Sequence, residues 1–189
     1  MTNRKKENAL ILSQEEIASG IFSLWLKTEA AGQARPGQFI SMYTNDGSRL
    51  LPRPISICEI DRGREALRVV YRVTGPDTGT ELFSRMKAGD VIPVIGPLGN
   101  GFPMERAEGK RVFLIGGGIG VPPILELAKQ LNCEKKQIVV GYRNKETFLR
   151  NEFEQNGELY ISTEDGSTGT RGNVMDAIRE NGLEADVIY

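Results

Sequence analysis

"RVFLIGGGIGVPPILELAKQLN", Arg111 to Asn132, decides the architecture of the second half of this chain. A short apolar run meets a cluster of glycines, then two prolines, then Ile124, Leu125, Leu127, Ala128 and Leu131 on one helical stripe. That order reads as strand, glycine loop and helix. The pattern continues downstream. "QIVVGYR" is a strand, "KETFLRNEFEQ" a helix, "ELYIST" a strand, "NVMDAIREN" a helix and "ADVIY" a last strand. Strands alternating with helices predict a parallel sheet with helices on its faces.

Upstream of residue 100 the texture is different. "ALILS", "IFSLWLKT", "GQFISMYT", "RPISICEI", "LRVVYRVT" and "DVIPVIG" are six strand candidates separated by Gly, Pro, Asn and Asp. Strands at this spacing predict a small antiparallel barrel or sandwich. "TGTELFSRMKAG" interrupts them as a helix. The boundary falls in "GFPMERAEGK", residues 101–110, giving domains over 1–100 and 101–189. No internal repeat or low-complexity tract is present.

Composition narrows the function. With 39% hydrophobic and 26% charged residues the chain reads as a soluble globular protein, and a net charge of -1 supplies no field for nucleic acid or an anionic membrane. No apolar run approaches a membrane span. The basic opening "MTNRKKENAL" has no apolar h-region behind it, so a cytoplasmic location is expected. There is no histidine, which removes the commonest general base and metal ligand. Cys58 and Cys133 form no CxxC pair and read as buried apolar residues. Chemistry carried by an organic cofactor meets these conditions.

Four stretches could hold such a cofactor. In "LLPRPISICEI" Arg53 sits between Pro52 and Pro54, which stiffen the backbone around it. A preset guanidinium suits a phosphate or carboxylate. In "TGPDTGTELF" Thr78 and Glu81 have capping-box spacing, placing Gly79 and Thr80 in a first helical turn whose N–H groups lack partners. "LIGGGIGVPP" is a candidate pyrophosphate cradle, but Val121 stands where the dinucleotide fingerprint has a third small residue. Pro122 and Pro123 remove donors from the helix start, leaving the loop amides to bind phosphate. The second strand ends in Arg143 and not in a ribose-binding acid. "STEDGSTGTRG" offers Asp165 and Ser167 after the third strand.

Together these pieces resemble a known family. "PGQF" at 36–39, "RPIS" at 53–56, "VYR" at 70–72, "GT" at 79–80, "GPLGNGF" at 96–102 and "GGGIGVPP" at 116–123 carry the resemblance across nearly the whole chain. The sequence is similar to the electron-transfer subunits of type B dihydroorotate dehydrogenases, in the ferredoxin–NADP reductase superfamily. The resemblance implies a six-stranded antiparallel FAD-binding barrel followed by a parallel-sheet NAD-binding domain. Arg53 would pair with FAD phosphate, with Pro54, Ile55 and Ser56 beside it and Ser56 at the isoalloxazine. Val70, Tyr71 and Arg72 would line the flavin, and Gly79 and Thr80 would hold its pyrophosphate. Ile55 stands where the superfamily often has a stacking tyrosine. Gly116, Gly117, Gly118, Ile119, Gly120, Asp165 and Ser167 would take NAD(H).

The implied reaction passes electrons from NADH through FAD and a [2Fe-2S] cluster to an FMN-bearing catalytic subunit that oxidises dihydroorotate in pyrimidine biosynthesis, within a heterotetramer. The family continues past the last strand with a Cys-Gly-Pro segment and a cysteine cluster, so a longer natural protein is expected. Arg143 leans toward a 2′-phosphate, whereas the resemblance leans toward NADH. Two other readings are a reductase subunit of a hydrogenase or ferredoxin oxidoreductase, and a non-catalytic FAD-binding fragment.

Overall fold

The computed structural model describes residues 6–47 and 50–189. Residues 1–5 of the basic opening stretch lie outside them, as do residues 48–49. One compact unit ends at Gly101 and a second begins at Phe102.

All six upstream strand candidates form strands. They are β1 (Lys6–Ala18), β2 (Ile21–Lys27), β3 (Phe39–Met42), β4 (Arg53–Asp61), β5 (Ala66–Arg72) and β6 (Val91–Leu98). They close into a barrel in the order β1-β2-β5-β4-β3-β6, with every neighbour antiparallel. Closure removes the exposed edges that a sandwich would leave. Side chains alternate across a strand, so Leu24 and Leu26 of β2, Ile40 and Met42 of β3, and Leu67, Val69 and Tyr71 of β5 fill the interior. The helix α1 (Gly79–Ser84) is shorter than the 78–89 read from its pattern. The chain turns instead at Lys87, whose N–H donates to Asp90 at 2.9 Å, and at Gly89 with φ +94°. Phe83 anchors α1 in the barrel core.

In the second unit β7 (Arg111–Gly117), α2 (Pro122–Gln130), β8 (Lys135–Tyr142), α3 (Arg150–Glu154) and β9 (Glu158–Thr163) follow in turn. A two-residue strand β10 (Thr170–Arg171), α4 (Val174–Glu180) and β11 (Val187–Ile188) complete it. The sheet is parallel throughout, in the order β10-β9-β8-β7-β11. The stripe Ile124, Leu125, Leu127, Ala128 and Leu131 is buried as its spacing predicts. Ala177 of α4 packs with Phe113 and Val139.

Two local expectations change. The helix expected over 145–155 begins at Arg150, because Leu149 adopts φ +65° and interrupts it. Cys58 is fully buried as expected, but Cys133 is only half-buried.

Candidate functional site

The sequence-predicted residues of the barrel gather where two strands part. Arg53, Pro54, Ile55 and Ser56 pair with Met42, Ser41, Ile40 and Phe39 of β3. The ladder from β4 to β5 starts only at Ile57 opposite Val69. β5 stays paired with β2 as far as Arg72. Arg53–Ser56 and Val70–Arg72 therefore stand on either side of an opening between β4 and β5. Pro54 suits this position, since it has no N–H to contribute to a ladder.

Alternation then sorts the two groups. Ile55 packs against the barrel core. Tyr71 is 1% exposed; its ring stacks on Phe22 at 5.8 Å and meets Phe83 edge-on at 6.2 Å. Its hydroxyl donates to Gln14 Oε1 at 2.8 Å, and burial pushes its pKa up. Tyr71 therefore contributes backbone, not ring, to the opening. Pro54, Ser56, Val70 and Arg72 alternate to the opposite face, with Ser56 half-buried, Val70 buried and Arg72 exposed.

The arginine and the glycine turn converge here. A β-carbon built on Gly79 would lie 3.0 Å from Nε, 3.1 Å from Cζ and 3.2 Å from Nη2 of Arg53. The guanidinium thus rests on the bare α-carbon of Gly79, and its Nη1 donates to the Leu51 carbonyl at 2.5 Å. Thr78 caps α1 by accepting from Glu81 N at 3.3 Å, and donates to the Gly75 carbonyl at 2.8 Å. The expected capping box is displaced by one residue. Glu81 accepts from Asp77 N at 2.7 Å, because Asp77 has φ +58° and brings its own amide round. The Thr80 hydroxyl is turned back onto the loop, accepting from Thr74 N at 3.1 Å, and the residue is buried.

The second unit gathers its candidates along the carboxyl edge of the parallel sheet. Gly117 of β7, Gly141 of β8, Ser162 of β9 and Thr170 of β10 form one row across it. Beyond that row lie Gly118–Gly120, and beyond β9 the loop with Asp165 and Ser167. Two strand spacings separate the bases of these loops, about 10 Å. The chain leaves β7 toward β8 on one side and returns to β11 on the other. This is a topological switch point, where doubly wound sheets bind ligands. A β-carbon on Gly116 would meet Val121 Cα at 2.9 Å, so that glycine allows the turn. Nothing lies within 4 Å of a β-carbon on Gly117 or Gly120, which leaves their backbone open. Gly118 has φ +52°, and Ile119 is 40% exposed. Asp165 accepts from Ser167 N at 2.9 Å, and hydrogen bonds from Ser167 hold its carboxyl below the usual range.

Two features were not singled out from the sequence. Gln14 of β1 binds both Tyr71 and the end of α1. Ser162 Oγ is buried without a hydrogen-bond partner among the described residues. A polar cleft of about 540 Å³ among Gln33, Arg35, Gln38, Arg62 and Asn100 includes none of the predicted site residues. Among the described residues no group of three or more Cys, Asp or Glu is arranged for a metal ion, and no helix is long and apolar enough to cross a membrane.

No family model matches the chain. An NADH-dependent reduced ferredoxin–NADP oxidoreductase, solved for insight into flavin-based electron bifurcation, aligns with a TM-score of 0.81 and 28% identity, over 93% of this chain and 63% of that one. A ferredoxin NADP+ reductase from Neisseria gonorrhoeae with bound FAD and NADP shares the fold, with a TM-score of 0.79 and 18% identity over 94% of this chain and 77% of its own. The barrel and parallel sheet are thus those of the ferredoxin–NADP reductase class. Among curated proteins, the dihydroorotate dehydrogenase B (NAD(+)) electron transfer subunit of Geobacillus sp. (strain WCH70) is 43% identical over 193 residues, 98% of this chain and 74% of the relative. That of Streptococcus pneumoniae (strain ATCC BAA-255 / R6) is 41% identical over 187 residues, 97% of this chain and 72% of the relative. The chain belongs to this family of dihydroorotate dehydrogenase B electron transfer subunits.

Proposed function

We propose that the chain binds FAD along the β4–β5 opening and NADH over the glycine loop of β7, and passes electrons from NADH to the FMN-bearing catalytic subunit of a dihydroorotate dehydrogenase in pyrimidine biosynthesis. The observation that carries this reading is the guanidinium of Arg53 lying on Gly79 at the mouth of that opening. The residues present fit the group. A fork of N–H donors beside a turn without a β-carbon suits a pyrophosphate.

FAD, when bound, supplies an acceptor for hydride and a donor of single electrons. Arg53 neutralises and orients the phosphate, with backbone of Gly79 and Thr80 opposite. Ser56 offers a hydroxyl to the flavin ring, Val70 an apolar wall, and Pro54 and Arg72 flank them. Ile55 and Tyr71 support that face from within the barrel. In the second unit Gly116 allows the turn, the backbone of Gly117, Gly118, Ile119 and Gly120 receives the NADH pyrophosphate, and Asp165 and Ser167 face the nucleotide from the loop after β9. Hydride transfer would call for alignment and not for proton removal, so no side-chain base would be needed. The absence of histidine accords with that. The two cysteines do not fit a [2Fe-2S] centre, so no step is routed through one in this chain. A cytoplasmic heterotetramer with the catalytic subunit completes the reading.

A second reading, a reductase subunit serving a ferredoxin oxidoreductase or hydrogenase, draws on the 28% identity to the bifurcating oxidoreductase. The test is to purify the chain, record its flavin spectrum and add NADH without air. A yellow protein that bleaches supports the proposal. One that stays oxidised is a binding module, and a colourless chain that never takes up FAD defeats the proposal.

A further inference from the structure

Gln14 lies far from the proposed flavin contacts in the sequence, yet it is bonded to the end of the element that carries two of them. Its Nε2 donates to the carbonyls of Phe83 at 3.0 Å and Met86 at 2.6 Å, with Ser84 at 3.3 Å as a shared third acceptor. The last carbonyls of a helix are short of intrahelical donors; that of Phe83 accepts from Met86 N at 3.0 Å, and a strand amide adds a second donor there and reaches the carbonyls of Ser84 and Met86 after it. The same side chain accepts from the buried hydroxyl of Tyr71 through Oε1. Both ends of one amide are therefore committed, which fixes its orientation.

The consequence runs along α1. Phe83 is locked in the core against Tyr71. At the other end Thr80 is tied to Thr74 N, and Gly79 sits under the Arg53 guanidinium. Six residues are too few for a helix to hold its own place. The position of Gly79 relative to Arg53 is then set by what grips α1, and Gln14 makes its long-range polar grip.

We propose that Gln14 is a positioning residue of the phosphate end of the flavin site, acting through α1 on the Arg53–Gly79 contact. This rests on the FAD reading above. Gln14 is not among the residues assigned to the flavin. It holds the segment carrying Gly79 and Thr80 in register with Arg53, so its loss is felt by the phosphates and not by the flavin ring.

The test measures binding of FAD and of riboflavin, which lacks phosphate, to flavin-free protein by fluorescence quenching. It compares wild type, Gln14→Leu, Arg53→Ala and the double variant. Gln14→Leu is expected to weaken FAD about tenfold while riboflavin changes less than about twofold. Arg53→Ala should cost markedly less in the Gln14→Leu background than alone. Gln14→Lys, which restores donors to the carbonyls, should recover most of the FAD affinity. Equal weakening of FAD and riboflavin, or additive losses, would mean a purely structural role and overturn the proposal. Should Gln14→Leu fail to fold, Gln14→Glu keeps the acceptor for Tyr71, removes the donors and carries the same expectations. Wild-type chain that binds neither ligand removes the flavin reading, and with it this role for Gln14.

Discussion

Arg53 and Gly79 belong to different elements, one opening a strand and the other a helix, and the guanidinium of the first lies over the α-carbon of the second. No side chain larger than hydrogen fits at residue 79 without displacing Arg53. Gly79 has an ordinary backbone conformation, so its value lies in close approach, not in turning freedom.

Gly79→Ala separates folding from binding. The atoms that its methyl would meet are the far end of a flexible side chain, which can swing away. Stability should fall by less than about 1 kcal/mol. FAD affinity should drop about tenfold as the guanidinium leaves its place. Thermal melts and FAD titration check this; unchanged FAD affinity would detach Gly79 from the flavin site.

Arg53→Ala should weaken FAD by about 2 kcal/mol, the scale of a lost charge-assisted contact. It should leave the melting temperature of flavin-free protein nearly unchanged, since the side chain is not part of the core. An Arg53→Ala protein that folds and retains FAD as tightly as wild type would refute the phosphate assignment.

The glycines at the end of β7 and just after it should divide in the same way. Gly116→Ala places a methyl 2.9 Å from the Val121 backbone and should cost about 1–3 kcal/mol of stability, as overpacking does. Gly117→Ala meets nothing within 4 Å. It should melt like wild type, yet bind NADH less tightly with flavin content intact. Gly118→Val is expected to weaken NADH further, because φ +52° is costly for a β-branched residue.

How far was this legible beforehand? The strand runs, the α2 stripe and the Thr78 cap all rest on local pattern, and local pattern survives folding. The barrel order rests on contacts between distant segments, which local pattern does not carry; that Arg53 and Gly79 serve one pyrophosphate was an expectation of the family resemblance and not of the local pattern. Tyr71 is a middle case. The "VYR" resemblance drew it to the ligand side, whereas the ring lies in phase with Leu67 and Val69 and is buried with them. Gln14 was invisible because a glutamine among polar residues of β1 looks like any solvated strand position. Leu149 and Asp77, both non-glycine residues with positive φ, shifted a helix start and a cap that propensity placed elsewhere.

Asp186 gives a pH-dependent handle on the second unit. Its carboxylate accepts from Arg111 N at 2.9 Å and from Nη2 at 3.1 Å, where β11 meets β7. The Arg111 hydrogen bonds pull its pKa down to about 2, from an unfolded value of about 3.9. The contact therefore stabilises the fold fully above about pH 4 and is lost as pH falls through about 2. Asp186→Asn should lower the melting temperature modestly at neutral pH, since the pair is solvent-screened. The gap to wild type should close as pH drops toward 2; a gap that persists there would show that the charge is not responsible.

Ser162→Ala removes a buried hydroxyl that has no partner. Because an unsatisfied polar group costs free energy to bury, the variant should be neutral or more stable by up to about 1 kcal/mol. Denaturant unfolding decides it, and a clear loss of stability would show that the hydroxyl has a bonding partner in solution.

The parting of β4 from β5 has a thermodynamic side. Over Arg53–Ser56 and Val70–Arg72 no ladder joins the two strands, so this part of the barrel wall is held from one side only. The flavin proposed for this opening would brace the unpaired wall, so loading is expected to couple to folding. The melting temperature should climb with the logarithm of flavin concentration. Amide hydrogen exchange at Ser56 and Val70 should slow on loading while the distant β1–β2 ladder changes little. On the proposed flavin reading the cofactor is a late-arriving piece of that wall, and flavin-free protein is expected to melt below loaded protein.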